Sequence, residues 1–165
     1  MYSIIKNYLF LFFFAALSVL AMTFFVVALI YPTLPNISHL EKYRPKQPLQ
    51  IYSKEGNLIA EFGEERRDFI AISDTPQQMI NAILSIEDRR FFEHPGIDFI
   101  GITRAVLKNI MGRSHEGAST ITMQVARNFF LTSEKTFKRK INEILLAIKI
   151  ERTLSKEEIL ELYIN

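Results

Sequence analysis

The sequence predicts a mainly α-helical protein with an N-terminal transmembrane helix and a small β element ahead of the helical part. Three observations carry this expectation. Tyr8 to Tyr31 runs 24 residues without a charge. The stretch "LQIYSKEGNLIAEF" alternates apolar and polar residues around turn-forming ones. From Thr75 onward, apolar residues recur at three- and four-residue spacing, punctuated by helix start signals.

The uncharged run suffices for the roughly 20 helical residues that cross a bilayer about 30 Å thick. It is longer than the apolar region of a cleaved signal peptide, about 7–15 residues. It also leaves through "LIYPTLPN", with no small-x-small cleavage site. Residues 8–31 therefore read as an uncleaved anchor behind a short N-terminal segment, 1–7. Lys6 lies on one side, and Lys42, Arg44 and Lys46 on the other, so the charges do not set the orientation.

Residues 32–48, "PTLPNISHLEKYRPKQP", hold four prolines and read as a linker or an irregular strap over the membrane surface. A β element follows at about 49–72, with Leu58, Ala60 and Phe62 alternating and "KEGN" as the turn. Thr75 as N-cap, Pro76 at the first helical position and Gln78 at the capping-box position start a helix. It runs to His94, where Pro95 and Gly96 stop it. Asp98 caps a second helix with an apolar stripe of Phe99, Ile102, Val106 and Ile110. "GRSHEG" (112–117) is a polar loop. A third helix follows Ser119, and a fourth covers about 134–152. A fifth starts at "SKEE", where Ser155 and Glu158 form a capping box. That helix stops in mid-pattern at Asn165, which reads as a piece of something longer. About 120 residues is small for a cavity-bearing enzyme.

Composition excludes several classes. There is no cysteine, hence no disulfide or thiol chemistry, and 20 basic against 18 acidic residues make no electrostatic case for nucleic acid. His94, His115 and the nearby acids lack any metal-binding spacing, so no metal site is expected.

Three polar placements stand out on apolar helices. Ile80, Ile83, Leu84 and Glu87 fall at i, i+3, i+4 and i+7, which sets Glu87 within roughly 20° of Ile80 on the apolar stripe. A carboxylate there loses hydration and becomes a candidate general base. Alternatively, the stripe ends at Leu84 and Glu87 is wet, paired with Arg90 or Arg89. Thr120, Gln124 and Arg127 align at i, i+4 and i+7 beside a helix N-terminus, a line that can hold sugar hydroxyls and phosphate oxygens or can be a solvated face. Glu143 interrupts a helix that is apolar nearly all round from Ile141 to Ile150, within reach of Arg139 and Lys140. It fits a site that handles a diphosphate, or else a structural ion pair. His94, at the end of its helix, reads as a cap.

Taken in order, these stretches resemble glycosyltransferase family 51, the peptidoglycan polymerases. "EDRRFFEHPG" (87–96), "GASTITMQVARN" (117–128), "RKINE" (139–143) and "KEEILELYIN" (156–165) are similar to its first four motifs. Residues 50–165 are covered, and "IYSKEGNLIAEFGEERR" looks like a bifunctional class A penicillin-binding protein of the 1A type. The resemblance implies that residues 49–165 form an incomplete lysozyme-like lobe with a smaller membrane-embedded jaw. It implies lipid II and the growing lipid-linked glycan as substrates, membrane lipids and cell-wall synthesis proteins as partners, and the periplasmic side of the bacterial inner membrane as the location. It requires no cofactor, although a divalent cation such as Mg2+ is compatible with it.

Matched position by position, Glu87 is the base for the acceptor 4-hydroxyl and Glu143 a second acid near the leaving group. Arg127 and Arg139 hold the diphosphate, with Lys140 in support, while Thr120 and Gln124 position the donor. Asp88, Phe91 and His94 shape the first motif, and Ser119 and Asn128 join the substrate-binding set. Met123 stands where the family more often has glutamine. The family's fifth motif is absent. Two other functions fit the same residues: a lysozyme-like glycan hydrolase, whose paired acids need no diphosphate, and a non-catalytic membrane-bound fragment that binds lipid II or a partner.

Overall fold

The computed structural model describes residues 2–45, 48–63, 68–112, 117–132, 134 and 136–165. Within those residues the chain divides into two compact units, 1–35 and 36–165. The first is α1 (Tyr2–Ile30), a helix with no acidic or basic residue in its terminal turns. A 25-residue span, Leu9–Thr33, is long and apolar enough to cross a membrane, as the uncharged run predicts. The second unit begins inside the segment expected to be a linker. Of the two readings, linker or strap, residues 36–45 fit the strap, with Ile37 and Leu40 buried. Tyr43 meets Phe129 edge-on and His39 meets Phe130. Four prolines signal irregular backbone, and they do not prevent the apolar residues between them from docking.

The β element is one antiparallel hairpin of β1 (Leu49–Tyr52) and β2 (Leu58–Phe62). Leu49 pairs with Phe62 and Ile51 with Ala60. Gly56, at φ +84°, supplies the left-handed turn residue. The expected extension to residue 72 ends at Phe62. Residues 64–67 lie outside the described set, and 72–74 form a 3-10 turn.

Four corrections apply to the first two helices of the lobe. α2 spans Gln77–Glu87 and has Pro76, not Thr75, at its N-cap, with no side-chain cap bond. Thr75 Oγ1 donates to the Ala71 carbonyl at 3.2 Å instead. Helix α2 also stops at Glu87 and does not reach His94, because Asp88 adopts an extended φ of −158°. The chain then turns through a 3-10 segment, Phe91–Glu93. α3 (Phe99–Ile110) has Asp98 at its N-cap position, yet the Asp98 side chain makes no cap bond. Its apolar stripe is inverted: Phe99, Val106 and Ile110 are exposed, whereas Gly101 and Ala105 are buried and Ile102 is half-buried. Small residues let α3 approach the lobe closely, and that approach overrides the sorting by hydrophobicity.

The core is built from the last three helices. α4 (Ile121–Phe130) is capped by Thr120, α5 (Phe137–Glu151) by Thr136, and α6 (Lys156–Ile164) by the Ser155–Glu158 capping box expected from "SKEE". Ile121, Met123 and Val125 of α4, Leu146 and Ile150 of α5, and Ile159 and Leu160 of α6 are all at most 2% exposed, and the three helices pack on one another. Each such side chain contributes about 1.5–3 kcal/mol through burial. Phe91, from the turn after α2, is fully buried, so the first motif is part of this core.

Gly96 closes that turn at φ +88°, and a Cβ on it would meet Glu151 Cγ at 3.0 Å and the Ala147 carbonyl oxygen at 3.1 Å. Gly96→Ala is expected to destabilise the lobe by about 1–3 kcal/mol through backbone strain and overpacking, read from the denaturation midpoint.

Candidate active site

Asp88 fixes the site. Its side chain is 3% exposed, and both its oxygens lie 3.0 Å from His94 Nε2. Oδ2 also accepts from the backbone N–H of Ile121 at 3.1 Å. A carboxylate only accepts, so these contacts place the proton on Nε2. Ile121 is the first residue of α4, so one side chain satisfies an otherwise free helix-start donor and holds the turn after α2. His94 is therefore a buried clamp, not the helix cap read from its position.

Glu87 immediately precedes this anchor. It is exposed, so the desolvation expected from its place on the stripe is absent. Ile80 is buried, Ile83 and Leu84 are half-buried, and the stripe ends there. The partner expected of a wet Glu87 was an arginine, but Arg90 Nε donates to Glu93 at 2.8 Å and its Nη1 lies 3.4 Å from Asp98 Oδ1. Glu87 instead accepts from Gln124 Nε2 at 2.8 Å. Thus the first two candidate stripes do meet.

Thr120 sits apart from Gln124 in what it can do. It is buried, donates from Oγ1 to the Gly96 carbonyl at 2.7 Å, and accepts from Met123 N–H at 3.2 Å. Its hydroxyl is thereby committed to the fold. Arg127 is half-buried and Asn128 exposed on the same helix. The fourth-helix cluster matches its expectation most closely. Glu143 is 0% exposed and is bonded by Arg139 Nη1 and, at 2.6 Å, by Lys140 Nζ. Lys140 also donates to Ser119 Oγ at 2.8 Å, while Met123 Sδ lies 3.9 Å away. Arg139 Nε has no hydrogen-bond partner among the described residues. Two cations and one carboxylate leave the cluster with a net positive charge.

Beside Glu87 lies a cleft of about 520 Å³, bounded by the end of α2, by α3 and by residues 117–120. Arg89, Arg90, Arg104 and Lys108 line it, together with Asp98 and Ser119. His115, weighed above as a metal ligand, lies outside the described residues. No group of three or more His, Asp or Glu side chains that could hold a metal is assembled among those described.

Tyr163 on α6 is the residue that sequence reasoning missed. Burial holds its phenol above the ordinary tyrosine value; the Glu87 charge adds to this and the Arg127 charge opposes it. The half-buried tyrosine on an otherwise apolar helix end was the available signal.

The transglycosylase family model matches residues 55–165. The chain belongs to the transglycosylase family. It is 51% identical to a penicillin-binding protein 1A of Neisseria lactamica over 90% of this chain and 19% of that protein. It is 55% identical to the penicillin-binding protein 1A of Neisseria cinerea over 82% of this chain and 17% of the relative. With that of Pseudomonas aeruginosa it shares 52% over 81% of this chain and 16% of the relative. The chain thus spans less than a fifth of the length of these relatives. Its mainly helical lobe with a two-stranded sheet is the partial lysozyme-like fold that the transglycosylase motifs imply.

Two measurements check this geometry. Asp88→Ala leaves the His94 and Ile121 donors buried without their acceptor and is expected to cost about 2–5 kcal/mol in chemical denaturation. The folded Tyr163 phenol keeps its proton to higher pH than an unfolded tyrosine. Its contribution to stability is therefore full below about pH 10 and is lost as pH rises through the folded value. Ultraviolet titration should show Tyr163 ionising late, and Glu87→Gln should move that step to lower pH.

Proposed function

We propose that this chain carries the site of a peptidoglycan glycosyltransferase that joins lipid II units into β-1,4-linked glycan with release of undecaprenyl diphosphate. The single observation behind the reading is the pairing of Glu87 with Gln124, next to a cluster in which Arg139 and Lys140 share the buried Glu143. A base and a cationic site for a leaving diphosphate are the two elements that such a transfer needs.

In this mechanism Glu87 takes the proton of the acceptor 4-hydroxyl. The Gln124 amide occupies Oε2 and leaves Oε1 for that hydroxyl, which fixes the direction of proton transfer. The deprotonated oxygen attacks the anomeric carbon of the lipid-linked donor from the opposite face. The bond to the diphosphate breaks with inversion, and its electron pair leaves with the phosphate oxygen. Arg127, Arg139 and Lys140 stabilise the charge that develops there.

Glu143 acts by holding Arg139 and Lys140 in place, since both its oxygens already accept from them. That engagement also leaves it a poor metal ligand, so the steps here run through the chain's own residues. Ser119 positions Lys140, while Asp88, Phe91, His94 and Thr120 set the turn carrying Glu87. Asn128 lies at the exposed end of the same face. The cleft lined by Arg90, Arg104 and Lys108 suits the acceptor, which is lipid-linked and anionic as well.

The anchor α1 and the apolar residues that α3 exposes, among them Ile100 and Ile110, suit a substrate that stays in the bilayer. The site would then face the periplasm from the inner membrane, where cell-wall synthesis proteins are the natural partners. A glycan hydrolase has no diphosphate to hold and leaves the Arg139–Lys140 pair without a task.

Glu87→Gln in the full-length protein is expected to lower lipid II polymerisation by about 10²–10⁴-fold, the usual contribution of a general base. The melting temperature should stay level, because Gln124 can still donate to the new amide oxygen. Unchanged polymerisation, or release of sugar fragments from finished peptidoglycan with no need for lipid II, would overturn the reading.

A further inference from the structure

Lys156 opens α6, but its side chain reaches back across the lobe. Nζ donates to the backbone carbonyl of His94 at 2.7 Å and to Glu151 Oε1 at 2.7 Å. The ammonium also lies 4.4 Å from the centre of the Phe91 ring. Glu151 Oε1 in turn accepts from Thr122 Oγ1 at 2.5 Å. The Lys156 side chain is 19% exposed and that of Glu151 8%, so both charges are largely removed from water. The end of α5, the start of α6, the first turn of α4 and the turn after α2 therefore meet at one ammonium–carboxylate pair.

Stability alone explains this pair poorly. A buried ion pair roughly breaks even against apolar side chains of the same volume. What it supplies is geometry. His94 is gripped at both ends: its ring by Asp88, its carbonyl by Lys156. Phe91, three residues earlier, has the same ammonium over its ring. Gly96, two residues later, lies against the stem of Glu151. Lys156 Nζ bonds the turn and Glu151 and makes no bond to Glu87 or Gln124, so its effect on Glu87 runs through this turn.

We propose that Lys156, anchored by Glu151, is a positioning residue for glycosyl transfer: by holding the His94 carbonyl and the Phe91 ring it sets the Asp88–His94 turn, and with it the Glu87 carboxylate, against Gln124. The proposal rests on the function assigned above to Glu87. Arg127, Arg139 and Lys140, the cations assigned to the diphosphate, bond neither Lys156 nor Glu151 among the described residues, so loss of the pair is expected to misplace the base before it weakens donor binding.

The test uses the full-length protein in membrane-mimetic detergent, with lipid II as substrate and a non-transferable lipid-linked diphosphate sugar as binding probe. Removing one charge alone would strand the other in the interior, so the informative variant is Lys156→Met with Glu151→Gln. It is expected to bind the probe within about threefold of the unaltered protein while kcat falls about 10²-fold, the scale of a misplaced catalytic group. Lys156→Arg keeps the charge and both donations and should restore most of kcat.

The proposal is overturned if the double variant keeps its kcat. It is equally overturned if kcat and probe binding fall together, which marks a general scaffold role, or if Lys156→Arg fails to rescue. Failure of the unaltered protein to polymerise lipid II would strike the assigned function instead, and that outcome is distinct from the other three.

Discussion

One buried carboxylate, Asp88, is the constraint on which the rest of the lobe depends. It accepts from the ring of His94 and from the first N–H of α4, residues 6 and 33 positions away in sequence. A buried acid without partners would be costly, and here each oxygen has one. Because the anchor is the residue directly after Glu87, the Glu87 carboxylate inherits its place from a neighbour largely removed from water. Glu87 itself can stay exposed, which suits the role proposed for it.

The same division recurs at the cationic end of the site. Glu143 is wholly enclosed and serves two cations, while Arg139 and Lys140 extend from it toward the surface, 17% and 37% exposed. The candidate substrate-binding groups are thus partly open, and the acids that hold them or their neighbours are sealed. The Lys156–Glu151 pair repeats the pattern a third time beneath the turn. In each case an interior ion pair or clamp fixes the direction of the side chains around it.

What could be read from the sequence followed the range of the interactions. The long apolar helix at the N-terminus, the Ser155–Glu158 capping box and the grouping of Arg139, Lys140 and Glu143 all depend on residues near one another in sequence, and all appear as expected. The end of α2 did not, because its stop signal is the pull of Ile121 and His94 on Asp88, a tertiary force invisible to periodicity. The Glu87–Gln124 contact joins residues 37 apart, and only the family motifs brought them together beforehand. The α3 stripe inverted for a related reason: Gly101 and Ala105 allow close backbone approach, and spacing alone cannot weigh that against the exposure of Phe99 and Ile110. Tyr163 escaped notice because its shift arises first from tertiary burial and then from charges on two other helices, neither of which spacing reveals.

The enclosure of Glu143 has a consequence for ionic strength. At physiological salt the screening length is about 8 Å, and it acts fully only on charges that solvent surrounds. Arg104, exposed on the rim of the cleft, feels that screening. The cluster around Glu143 is shielded by protein on the buried side and keeps its field. The two basic regions therefore respond differently to salt: the exposed rim of the cleft loses its long-range attraction early, while the Arg139–Lys140–Glu143 group is screened less completely. In the proposed transfer, capture of an incoming anionic unit and retention of the growing end are governed by separate charges.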